Sequence, residues 1–169
     1  TDRVAKYSGL LAQRFGLPVK EIENIKLAAY LHDIGKLAIP TSILEKKEKL
    51  TTEEFRLVKN HPINSMEIID SIPQLRHLTE IAGYHHERYD GQGYPDKLLG
   101  EEIPLGARII ALVDAFDAIT SNRSYDGARG LDQAIHEIKK YKGIQFDPQV
   151  VEKFMEASTE IERLLVEFN

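Results

Sequence analysis

The chain has 169 residues, no cysteine, 42% hydrophobic and 29% charged residues, and a formal net charge of -5. That length supports one well-buried domain and excludes two comfortable ones, while the missing thiols exclude disulfides and thiolate-bound zinc or iron-sulfur clusters. The acidic balance, with no basic cluster, argues against a nucleic-acid polymer as partner, and no apolar run approaches bilayer length, so the expectation is a cytoplasmic domain without membrane contact.

Apolar residues recur at helical spacing along nearly the whole chain, and no stretch alternates in the manner of a strand, so the predicted fold is all-α. A first helix spans residues 4–15 and stops at Gly16; a second opens at Pro18 and runs to about Gly35. Thr51 followed by Glu54 is a capping box that opens a third helix toward Asn60, and Pro62 opens a fourth that closes before Pro73. The charge run at 45–49 reads as a solvated surface connection.

The fifth helix is expected over residues 74–86, and a long irregular segment, 87–104, follows it with Gly91, Gly93, Gly100, Pro95 and Pro104. Connections of that length commonly carry function. The sixth helix, 107–121, precedes helices near 131–141, 148–157 and 161–168, with Asp147 an N-cap before Pro148.

The chemistry concentrates at His32-Asp33 and His85-His86, with His61 between them and Asp114 after them. Ile22, Ile25, Ala29, His32 and Lys36 share one helical stripe, and Leu75, Leu78, Ala82, His85 and His86 share another. Imidazoles therefore stand where the next core residues belong. The sixth helix is apolar all round except for Asp114 and Asp117, three residues apart on one face. An unpaired carboxylate there would be strongly disfavoured, and the helix's own Arg108 stands near its start, so metal ions are the expected counter-charge.

Adjacent helical residues point about 100° apart, so the two doublets suit two neighbouring ions better than one. Mixed imidazole and carboxylate sets suit first-row transition metals, and paired ions about 3.5–4 Å apart hydrolyse phosphate esters through a bridging hydroxide. His77 and His136 sit among charged residues on outer helix faces and read as surface histidines.

His32-Asp33-x-Gly35-Lys36 together with His85-His86-Glu87-x-x-Asp90-Gly91-x-Gly93-Tyr94-Pro95 resembles the paired signature of the HD-GYP family of HD-superfamily phosphodiesterases. The likeness extends through His61-Pro62, the run from Asp114 to Arg123, and Phe146-Asp147-Pro148. It implies a single HD-type helical domain over 1–169 with a long irregular loop between the fifth and sixth helices. The implied activity is hydrolysis of cyclic di-GMP, a bacterial second messenger, to pGpG or GMP at two or three divalent ions, iron or manganese.

Carried over by position, His32, Asp33, His61, His85, His86 and Asp114 would be metal ligands, with Asp33 bridging. Lys36 would contact the scissile phosphate. Arg123 and Asp117 would lie on the substrate side with the Gly93-Tyr94-Pro95 loop, which in some members also docks a protein partner. The alternative expectation is a weakly active or inactive module that binds the nucleotide or docks a partner. Three departures stand out. The family places a metal-binding His just before the segment matching residues 1–5, which points to a fragment lacking its upstream region. Asp126 replaces a family cation, and its repulsion of a phosphate would weaken binding by on the order of 1 kcal/mol. Ser65 replaces a frequent glycine, for which a local packing change is expected.

Overall fold

The computed structural model describes residues 1–121 and 127–167, with side chains in the second segment from residue 131 onward. It is all-helical, as expected: α1 (Asp2–Arg14), α2 (Val19–Leu31), α3 (Thr41–Leu44), α4 (Thr52–Lys59), α5 (His61–Asp70), α6 (Thr79–Gly83), α7 (Leu105–Ser121), α8 (Gly127–Lys140), α9 (Pro148–Glu156) and α10 (Ser158–Glu167). Short 3-10 helices cover Ile34–Ala38, Arg76–Leu78 and Gly100–Glu102. No strand forms among the described residues; Asp90 and Leu99 make an isolated bridge in the loop before α7.

Helix α7 is the axis of the packing. Its apolar circumference meets α1, α2, α6, α8 and α9, and Ile109, Ile110, Leu112, Val113 and Phe116 are fully buried. Phe116 joins Tyr7 of α1 and Phe154 of α9 edge to face, at ring-centroid distances of 5.5 and 5.1 Å. The predicted capping box is formed: Glu54 N–H donates to Thr51 Oγ1 at 3.2 Å, and Thr51 N–H to Glu54 Oε2 at 2.7 Å. Asp147 caps α9 through Gln149 N–H at 2.6 Å, and the same buried carboxylate pairs with Arg108 of α7.

Two expected helices are shorter than their periodicity indicates, and both end just before a doublet. Helix α2 stops at Leu31, and the chain passes through Asp33 (φ -100°, ψ 4°) into the Ile34–Ala38 3-10 helix. Close packing imposes this change. A Cβ on Gly35 would lie 2.1 Å from the His61 carbonyl oxygen and 2.5 Å from Ser65 N, so the turn is pressed directly onto the backbone of α5. Likewise α6 covers only Thr79–Gly83, after which Glu87 N–H bonds the Tyr84 carbonyl and closes a turn holding His85 and His86. The doublets therefore sit on helix-terminal turns, and the 100° rule for adjacent helical residues does not set their directions.

Candidate metal centre

Three histidines are aimed by one local device. Nδ1 of His32, His61 and His85 bonds the carbonyl three residues earlier, that of Ala29, Val58 and Ala82, at 2.7, 2.8 and 2.6 Å. A ring that donates through Nδ1 carries its lone pair on Nε2, the tautomer a metal requires. Those Nε2 atoms face one another. His61 Nε2 lies 3.3 Å from His85 Nε2 and 3.2 Å from Asp33 Oδ1. The His85 and His86 rings are 4.1 Å apart between centroids, and His61 and His86 are 4.9 Å apart.

His32 Nε2 stands 3.5 Å from Asp33 Oδ2 and 3.6 Å from Asp114 Oδ1, both longer than a hydrogen bond, and this buried nitrogen has no hydrogen-bond partner. An orphaned imidazole nitrogen between two carboxylates fits a cation. Two overlapping donor groups meet that description, His61 with His85 and His86, and His32 with Asp33 and His85, each with ligand atoms within 4.8 Å. Asp114 joins the second through His32. The six residues read from the sequence as ligands thus converge from α2, α5, α6 and α7. His77 and His136 are exposed and stand apart, as expected.

Electrostatics divide the imidazoles. Burial, reinforced by neighbouring histidines, pushes His85 well below 6.5 and His86 down to about 4, so both imidazoles are neutral near neutral pH. Burial also opposes charge on His32, but Asp114 and Asp33 outweigh it and raise its pKa. Burial would raise Asp33, yet His61, His32 and Lys36 hold it well below the usual carboxylate range. Between pH 6.5 and about 4 the unfolded chain takes up protons that folded His85 and His86 refuse, while His32, whose pKa is raised, gains its proton above that window and is charged in both states within it. Metal-free protein is therefore expected to lose stability as pH falls through that window. Urea midpoints near neutrality and near pH 5 measure the effect, and a midpoint that holds or rises in acid would contradict it.

Lys36 Nζ lies 2.6 Å from Asp33 Oδ2 at the rim of the cluster. The Tyr94 ring stacks on His86 at 4.9 Å between centroids with 25° between planes, and Lys59 Nζ sits 4.6 Å from the Tyr94 ring centroid. Burial, with Asp33 and Asp114 nearby, pushes the Tyr94 phenol up to about 12, leaving it a neutral donor. The Tyr94-Pro95 peptide is cis. Asp117 faces elsewhere: it pairs with Arg3 of α1 at 2.7 Å, a counter-charge contributed by a different helix. Arg123 and Asp126 lie outside the described residues.

Residues 1–150 match the HD domain family. The chain belongs to the HD domain family. It is 42% identical over 171 residues to the cyclic di-GMP phosphodiesterase response regulator RpfG of Xanthomonas campestris, covering 99% of this chain and 45% of that protein. It is 41% identical over 157 residues to a 3'3'-cGAMP-specific phosphodiesterase of Vibrio cholerae, covering 92% of this chain and 30% of that one. This HD domain thus spans less than half the length of these curated relatives. Its fold superposes on the crystal structure of a cyclic GMP-AMP specific phosphodiesterase of V. cholerae with a TM-score of 0.72 and 21% identity, covering 96% of this chain and 44% of that one. The HD-GYP resemblance is borne out by these relatives.

Three structural roles within this HD domain escaped the sequence. Ser65 Oγ, fully buried, donates to the His32 carbonyl at 2.8 Å and accepts from Gly35 N–H at 2.9 Å, tying the His32-Asp33 turn to the helix that begins with His61. That is more than the expected change in packing. Arg3 is the second, remote from Asp117 in sequence.

Glu87 is the third. Only 3% exposed, its carboxylate accepts the backbone N–H groups of Asp96, Lys97 and Leu98 at 2.7, 2.9 and 3.1 Å. It folds the loop back over the histidines and holds Lys97 at a φ of 59°, which an unsupported lysine disfavours. Gly93 fits beneath because it lacks a side chain: a Cβ would lie 2.5 Å from Glu87 Cα. Its requirement is space, whereas Gly91, at φ 74°, takes up a left-handed backbone. Glu87→Ala leaves three amides without acceptors and is expected to destabilise the loop by about 3 kcal/mol. Amide exchange at Asp96, Lys97 and Leu98 should accelerate accordingly; unchanged protection would dismiss the clamp.

Proposed function

We propose that this HD domain, over residues 1–169, is a metal-dependent phosphodiesterase that hydrolyses cyclic di-GMP to pGpG or GMP. The observation that carries this is the convergence of four imidazoles and two carboxylates around the orphaned His32 Nε2, with Lys36 at the rim. His32, Asp33, His61, His85, His86 and Asp114 would hold two or three divalent transition-metal ions, a class that suits this nitrogen and oxygen donor set, with iron or manganese assigned on the family resemblance. When bound, such ions lower the pKa of water toward neutrality and draw charge from a phosphoryl group.

The protein's own contribution is placement and charge. Asp33 stays ionised in the site, and its 2.6 Å contact holds the Lys36 ammonium at the rim, where two further donors can take phosphate oxygens. Neutral Tyr94, fixed between His86 and Lys59 by the Glu87 clamp, closes one side of the centre and keeps a hydroxyl donor there. Arg123 is assigned to the substrate's anionic groups on the family resemblance, and the partly exposed Tyr94-Pro95 segment to a protein partner. Since cyclic di-GMP is a bacterial second messenger, a cytoplasmic location accompanies this function.

The test is incubation with manganese or ferrous iron under reducing conditions, with cyclic di-GMP and 3'3'-cGAMP in parallel. The second substrate is included because relatives named for each are almost equally similar to this chain, at 42% and 41% identity. Release of pGpG or GMP is expected. Turnover of 3'3'-cGAMP alone would reassign the substrate, and tight binding of cyclic di-GMP without turnover would favour the binding-module alternative.

A further inference from the structure

The turn that carries His32 and Asp33 lies between two helix ends, α2 finishing at Leu31 and the 3-10 helix starting at Ile34, and the Asp33 side chain caps neither. Helix ends leave carbonyls and amides in need of outside partners. The hydroxyl of Ser65, on α5, donates to the His32 carbonyl at 2.8 Å and accepts from Gly35 N–H at 2.9 Å, so it takes one backbone group from each side of Asp33. A serine inside a helix commonly returns its hydroxyl to a carbonyl one turn back in its own helix. This one joins two elements instead, and it is fully buried.

We propose that Ser65 is a positioning residue of the metal centre, setting how the Asp33 carboxylate meets His61 and thereby how tightly the cluster binds divalent ions. The assignment rests on the metal centre described above and extends it to what tunes its affinity. His61 and Ser65 are one turn apart on α5 and share a face. From that face His61 Nε2 reaches Asp33 Oδ1 at 3.2 Å, while Ser65 holds the backbone on either side of the same residue. The His61 ring is itself fixed through Nδ1 by the Val58 carbonyl at 2.8 Å. The other restraint on Asp33 is Lys36, 2.6 Å from Oδ2, but Lys36 belongs to the 3-10 helix and moves with the turn. It cannot set the approach to α5. Gly35 already presses the two backbones together, with no room for a Cβ against the His61 carbonyl oxygen, so their contact does not need the hydroxyl. Their relative orientation does. Ser65 stands where the HD-GYP pattern frequently has glycine, so this tie belongs to this chain rather than to the ligand set of the family.

Titration of the metal-free protein with cobalt(II), followed by the visible absorption of the bound ion, reads affinity and coordination together. Ser65→Ala keeps the methylene and removes the hydroxyl; it is expected to bind cobalt about tenfold more weakly and with a displaced absorption band. Ser65→Gly, the residue frequent in the family and so compatible with this packing, should weaken binding likewise and decides the matter if the alanine variant does not fold. Ile69→Val, a buried position one turn further along α5, lowers stability through lost packing alone and should keep the affinity and the band of wild type. Wild-type affinity and band in the Ser65 variants, or an equal loss in Ile69→Val, would overturn the assignment and leave the metal centre standing. A wild-type protein that takes up no cobalt would remove the metal centre itself, and the role of Ser65 with it.

Discussion

Asp33→Ala is expected to strip the site of metal and reduce cyclic di-GMP turnover by at least about a hundredfold. The reason is the number of groups that depend on this carboxylate. Oδ1 lies 3.2 Å from His61 Nε2, while Oδ2 lies 3.5 Å from His32 Nε2 and 2.6 Å from Lys36 Nζ. Its removal takes away the carboxylate that stands beside the Nε2 atoms of both His61 and His32 and frees the Lys36 ammonium from its anchor. Elemental analysis and a turnover assay on the same preparation check both effects. Full metal content with normal turnover would eliminate Asp33 as a bridging residue.

Gly35→Ala should have the largest effect on folding, about 3 kcal/mol or more of lost stability, although it removes nothing. The added methyl would meet the His61 carbonyl oxygen at 2.1 Å and Ser65 N at 2.5 Å, and both are backbone atoms that no rotamer change can move. The turn must lift from α5, which separates Asp33 from His61 and breaks both hydrogen bonds of Ser65. Gly83→Ala is the control: its new Cβ would meet the flexible Met66 side chain, with Cγ at 2.2 Å and Sδ at 2.5 Å, which can reorient in part. Urea denaturation of the two variants should rank Gly35→Ala as clearly more destabilised. The reverse order would mean that α5 and the His32-Asp33 turn are not rigidly joined.

Much of this architecture is written in local pattern. The 3.6-residue period, the Thr51-Glu54 capping box and the Asp147-Pro148 cap each act within a turn or two, and each is realised in the structure. The helix ends beside the doublets are where local pattern misleads. Ile22, Ile25, Ala29 and His32 do share a buried face, yet the stripe continues in phase to Lys36 after α2 has ended. Periodicity cannot register that Gly35 meets another backbone, because that obstacle lies 26 or more residues away in sequence. Asp117 misled in the same manner: its counter-ion, Arg3, comes from the opposite end of the chain.

Helical class, the apolar faces and the identities of the imidazoles and carboxylates follow from residue order, since each depends on neighbours within four positions or on a motif whose residues are contiguous. The aim of those side chains does not. It depends on Nδ1 atoms held at helix-terminal carbonyls, on Ser65 joining two elements, and on Glu87 gathering the amides of a loop nine to eleven residues downstream. Hydrogen bonds act over about 3 Å, so a centre assembled from residues 32, 61, 85 and 114 acquires its geometry only when packing brings those turns together.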